Sequence, residues 1–225
     1  MSERTRIALV VGGSGLVGRE LLRQLAAPGS GYSNVHALLR RPIEPAPVGV
    51  EMHVIDFSRL PSPLPATDDL YCALGTTIKA AGSRHAFHAV DFDAVVDTAR
   101  AAQAAGASRM AVVSSLGADA RSRVFYNQVK GEMEAALRSL HFERLVIARP
   151  SLLSGAREAL GQAPRLAERL SLALLTPIGG LLPASFRPID AGVVARAMRA
   201  ALHAGHPAAQ VIESAELQRL GAEAG

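Results

Sequence analysis

Residues 7–18 read IALVVGGSGLVG. An apolar run of strand length, residues 7–11, breaks into a loop with Gly12, Gly15 and Gly18 three apart and Gly13 as an extra glycine. A helical pattern follows over 17–27, where Val17, Leu21 and Leu25 recur every four residues until Pro28 and Gly29 end it. Glycine is needed where a strand turns sharply into a helix, and where backbone must approach a pyrophosphate closely. The helix start then directs unpaired N–H groups and a partial positive charge at the phosphates. A glycine pattern alone is a weak signal. Its position between a strand and a helix is the context that makes it a dinucleotide-binding loop.

Outward from this loop, strands and helices alternate. Strands are expected at 35–39, 50–55, 70–74, 110–115 and 145–148, and helices at 86–105 and 126–140. Three prolines make 41–49 a loop, and Pro61, Pro63 and Pro65 mark another. This alternation predicts an α/β fold, a Rossmann-type doubly wound parallel sheet. After Arg149-Pro150 the alternation fades into a helix at 156–175, a loop rich in Gly and Pro at 176–188 and a helix at 189–203. The 225 residues suit one domain, with a core at about 5–150 and a small substrate-covering region at about 151–205.

The end of the second strand bears on which dinucleotide is bound. An NAD site places a carboxylate about twenty residues beyond the glycines, where it bonds the ribose hydroxyls. Counting from Gly18 reaches Leu38, Leu39, Arg40 and Arg41, with no acid among them. Two guanidinium groups there can grip a 2′-phosphate, so NADP(H) is the expected cofactor.

Residues 126–130 read YNQVK, which places Tyr126 and Lys130 one turn apart on a helix. The chain has three tyrosines, and Lys79 and Lys130 are its only lysines, so the pairing is a specific signal. An ammonium beside a phenol favours proton exchange by the phenol. The strand before ends in VVSSLG, and a serine hydroxyl there could orient a substrate carbonyl. Ser115 is slightly favoured over Ser114.

GGSGLVG, the arginine pair, CALGTT at 72–77, VSSLGAD at 113–119, YNQVKGEME and ARP at 148–150 together resemble the atypical short-chain dehydrogenase/reductases. The branch most similar holds the Tat-interacting oxidoreductase-like protein of mammals and many bacterial NAD(P)H-binding or sugar-epimerase-like proteins. The resemblance covers roughly residues 5–205. It implies that Ser14, Gly15, Leu16 and Val17, beside the loop glycines Gly12 and Gly18, contact the pyrophosphate, and that Arg40 and Arg41 meet the 2′-phosphate. Asp56 would lie near adenine, Leu74 and Gly75 along the cofactor, and Leu153 beside the nicotinamide. Tyr126 and Lys130 would be catalytic, with Ser115 as the candidate the strand end supplies. The wider superfamily carries an asparagine that relays protons to the lysine, and Asp91 stands in its place here.

These residues support three functional readings. The first is an NADPH-dependent oxidoreductase acting on a small carbonyl or quinone-like substrate. The second, motivated by Asp91, is an NADPH-binding regulatory protein with little turnover. The third is a nucleotide-sugar epimerase, for which the residues after Pro150 are few. A net charge of +4 is spread without basic runs, and aromatic residues make up only 4%, so nucleic acid is not the expected partner. No stretch of about eighteen residues is apolar throughout, so no integral membrane segment is expected. A homodimer or a protein partner remains open. His85, His88 and Asp91, three apart, imitate a metal site, but ligands from a single helix with no further His or Cys cluster argue against one. The apolar run at 7–11 is too short for a signal-peptide core. Cys72, the single cysteine, excludes an internal disulfide, and a cytoplasmic location is expected.

Overall fold

The computed structural model describes residues 5–154, 184–205 and 207–225. β1 (Arg6–Val11) shows why the sheet is central. Its residues alternate between two core layers, Ala8 and Val10 facing one and Leu9 and Val11 the other, all fully buried. A strand buried on both faces belongs in a parallel sheet covered by helices. The next elements are α1 (Leu16–Leu25), β2 (Tyr32–Leu39), β3 (Glu51–Val54), β4 (Asp69–Cys72), α2 (Ile78–Ala81) and α3 (Arg84–His88). A π-helical turn (Ala89–Asp93) leads from α3 into α4 (Ala94–Ala104). Then come β5 (Arg109–Val113), α5 (Phe125–Arg138), β6 (Arg144–Arg149), β7 (Leu153–Ser154), β8 (Ile189–Asp190), α6 (Ala191–His203), β9 (Ala209–Glu213) and α7 (Ser214–Glu223).

The main sheet has seven parallel strands in the order β3-β2-β1-β4-β5-β6-β9. The expected Rossmann-type parallel sheet is therefore present. Its chain order reverses between β1 and β4, and ligands of open α/β sheets bind outside the strand ends at such a switch point. One layer joins α1 and α6 through Leu21, Leu25, Val194 and Met198. The other joins α4 and α5 through Val95, Val96, Met133 and Leu137.

Several expectations change in detail. The helix expected over 86–105 begins at Arg84, capped by the Ser83 hydroxyl, and is interrupted by the π turn. α2, β9 and α7 were not expected at all. β9 lengthens the sheet beside β6, and α7 packs on α6. The expected substrate-covering region divides. Ala191–His203 packs into the core layer under α1, and Leu153 sits on β7, paired with Ile189. The helix expected at 156–175 and most of the loop at 176–188 lie outside the described residues.

Candidate active site

Gly12 takes a left-handed φ of +80°, and a β-carbon there would lie 2.5 Å from the carbonyl of Ala73. The glycine loop is thus pressed against the end of β4, a contact only glycine permits. A β-carbon on Gly18 would meet the Gly12 oxygen at 2.1 Å, so α1 starts directly on the loop. The Gly15 N–H donates to that same oxygen at 3.0 Å. Among the described residues no side chain caps α1, and no acid lies in its first turn. The N–H groups around Leu16 and Val17 are left for an anionic ligand, with Ser14 exposed beside them. The residues present fit a dinucleotide pyrophosphate.

From Ala73 the chain runs through Leu74 to Gly75. A β-carbon at Gly75 would lie 3.1 Å from Asp91 Oδ1 and 3.5 Å from Lys130 Nζ. The glycine loop, the segment after β4 and the Lys130 ammonium therefore form one line along the switch point. Lys130 and Asp91 are buried and paired at 2.7 Å, and the Thr76 N–H donates to the other Asp91 oxygen at 2.8 Å. Burial by itself would lower the pKa of Lys130, but the charge of Asp91 and then the Tyr126 phenol outweigh it. The net shift is upward, and Lys130 keeps its proton at neutral pH. The π turn carries Asp91 to this position, as π insertions often do at functional sites.

Tyr126 lies one turn before Lys130 on α5, half-buried, with its ring 5.3 Å from that of the fully buried Phe87. The serines separate cleanly. Ser114 donates to Glu134 at 2.6 Å, and Glu134 in turn takes two hydrogen bonds from Arg149. The Ser115 hydroxyl is buried and has no partner among the described residues. A buried, unsatisfied hydroxyl is costly unless a ligand completes it.

Arg40 and Arg41 are both exposed at the end of β2. Asp56, after β3, is exposed and folds back to accept from the Ser58 N–H and hydroxyl, which holds its carboxyl below the usual range. His85, His88 and Asp91 are drawn apart: His88 pairs with Asp93 at 3.2 Å, and Asp91 pairs with Lys130. Thr76 gave no signal in the sequence, because its partner Asp91 is placed by the π turn, and Phe87 gave none, because its ring contact with Tyr126 joins two separate helices. A cavity of about 420 Å³ lies away from this line, between α1 and the proline loop that includes Ile43 and Val48.

Fold, glycine loop and switch point together define a dinucleotide-binding Rossmann protein. A family model described as NAD(P)H-binding matches residues 12–155. The chain is 40% identical over 153 residues to the mitochondrial protein FMP52 of Eremothecium gossypii, covering 67% of this chain and 68% of that one. Over 156 residues it is 36% identical to protein HTATIP2 of Rattus norvegicus, covering 67% and 64%. Of solved structures, MoeE5 in complex with UDP-glucuronic acid and NAD has a TM-score of 0.70 at 19% identity, covering 96% of this chain and 81% of that one. A short-chain dehydrogenase/reductase superfamily protein from Agrobacterium tumefaciens with bound NAD has a TM-score of 0.66, also at 19% identity, with coverage of 96% and 81%. The structures show the fold. This chain belongs to the NAD(P)H-binding family and is an atypical short-chain dehydrogenase/reductase-like protein.

The expected cytoplasmic location is corrected by the same relatives. FMP52 proteins from four fungi, 31–40% identical, are named mitochondrial. A single cysteine speaks against an oxidising compartment but does not separate the cytosol from the mitochondrial interior. No helix among the described residues is long and apolar enough to cross a membrane.

Proposed function

We propose that this chain is an NADPH-dependent reductase of a small carbonyl or quinone-like substrate. The observation that carries the reading is the buried Lys130–Asp91 pair beneath Gly75, one turn from Tyr126 and continuous with the glycine loop. A bound nicotinamide would supply the hydride chemistry. The Tyr126 hydroxyl gives its proton to the carbonyl oxygen, and the unpartnered Ser115 hydroxyl donates a hydrogen bond to the same atom. Lys130, held charged by Asp91, steadies the phenolate that remains. Arg40 and Arg41 grip the 2′-phosphate and favour NADPH over NADH.

Purified protein titrated with NADPH and NADH, followed by calorimetry, tests the cofactor. NADPH binds at least tenfold tighter than NADH, and Arg40→Ala/Arg41→Ala erases the difference. Equal affinities in the wild type would remove NADP preference. NADPH oxidation with a carbonyl and quinone panel then tests the chemistry, Tyr126→Phe losing roughly 10²–10⁴-fold in rate. A Tyr126→Phe variant as active as wild type would defeat the reductase reading. Asp91 supports a second reading, an NADPH-binding regulator, because a carboxylate fixes Lys130 where an amide would leave it freer. A protein partner whose affinity ignores NADPH would end that one.

A further inference from the structure

Away from the cofactor line, three side chains converge on the edge of the sheet. β2 and β3 are parallel, with His36 opposite Glu51 and Leu38 opposite His53. Glu51 and His53 are two apart on β3 and so share a face, the face that His36 occupies on β2. His36 Nδ1 lies 3.0 Å from His53 Nε2 and 3.4 Å from one Glu51 oxygen, and His53 Nε2 lies 3.5 Å from the other. β3 is the outermost strand, and the Glu51 side chain is 62% exposed, so the group can be reached from solvent.

We propose that His36, Glu51 and His53 form a binding site for a divalent transition metal of the Zn²⁺ type. Metal–ligand bonds of about 2.0–2.1 Å in a tetrahedron place neighbouring ligand atoms about 3.3–3.4 Å apart. With one ligand atom taken from each residue, the three lie within 4.8 Å of one another, close enough for one ion to draw them to that spacing. A hydrogen bond between the two rings accounts for the 3.0 Å separation, and the Glu51 carboxylate places a third ligand group beside both nitrogens. Two imidazoles and a carboxylate suit zinc and its neighbours rather than Mg²⁺ or Ca²⁺. Three protein ligands leave a fourth position for water or an exogenous group. His36 lies four residues before Arg40, about 13 Å along the strand, so the site is separate from the proposed reductase centre. A metal here ties the edge strand β3 to β2.

The test is a titration of the full chain with ZnCl₂ by calorimetry, and with Co²⁺ by its visible absorption, in chelator-free buffer. Wild type takes up one metal ion with a tetrahedral Co²⁺ spectrum. His36→Gln/His53→Gln weakens binding by more than the roughly 10–100-fold that even outer-shell substitutions cost. Glu51→Gln, at an exposed position that should fold normally, weakens it as well, and His85→Gln/His88→Gln leaves it unchanged. NADPH affinity is the same in all four proteins. No uptake by the wild type, or uptake that the His36/His53 and Glu51 variants retain, would overturn the site and leave a hydrogen-bonded histidine pair only.

Discussion

An amide at position 91 could both donate and accept a hydrogen bond, whereas the carboxylate of Asp91 only accepts. Its two oxygens are committed to the Lys130 ammonium and the Thr76 N–H. Asp91→Asn keeps the shape and the Thr76 contact but leaves a buried ammonium without its counter-charge. The expected loss is about 3–5 kcal/mol, read as a lower urea midpoint. Turnover decides between the two functional readings. A fall of tenfold or more with NADPH makes Asp91 a positioning residue of a reductase, while a rise shows that the carboxylate restrains Lys130. Tyr126 and Lys130 were legible in the sequence because both residue types are scarce and their spacing is one helical turn. Between Ser114 and Ser115 the sequence favours the second only slightly, since the residue that engages Ser114 is Glu134, twenty positions away on α5. His36, Glu51 and His53 were equally hidden, because strand register, not spacing, brings them together.

α5 illustrates how one element carries both packing and chemistry. Tyr126, Lys130, Met133 and Leu137 succeed one another at intervals of four, three and four residues, a single stripe on the helix surface. The apolar end of the stripe enters the core and fixes the rotation of the helix, which aims its reactive end at Gly75. Met133→Ala removes a fully buried side chain and should cost roughly 2–5 kcal/mol, checked by urea denaturation. A matching loss of NADPH-dependent rate in the still-folded variant would show that rotation matters to the site. The period of α5 was readable from its sequence. The π turn before α4 was not, because the alanine-rich segment 86–105 gives no stripe whose phase could reveal an inserted residue. β9 was missed for a related reason: five residues with only Ile212 buried give too weak an alternation.

Over the whole molecule, the parallel sheet was legible because apolar runs and helical stripes alternate up to residue 150. The packing of the C-terminal third was not, since α6 declares its buried face but not its partner α1, which lies far back in the chain. The central strands also set the response to pH. Burial pushes the Cys72 thiol from the usual 9.0 up to about 11, and it pushes the Tyr71 hydroxyl up as well. A group with a raised folded pKa contributes its stability below the unfolded value and loses it as pH climbs to the folded one. The urea midpoint should therefore fall between pH 9 and 11. Cys72→Ala should flatten that fall by up to roughly 3 kcal/mol across the interval. A midpoint that stays level to pH 11 would contradict this burial.

The position of β9 also bears on how the chain acquires its shape during synthesis. β6 lies next to β5 in the sheet, but its other edge pairs with Ala209–Glu213, made some sixty residues later. Until that segment leaves the ribosome, the nascent sheet ends in a bare row of backbone donors and acceptors, the kind of edge that recruits foreign strands. The helix made just before it, Ala191–His203, closes the layer over α1. The interval between β6 and β9 is when a growing chain of this protein would most need a chaperone.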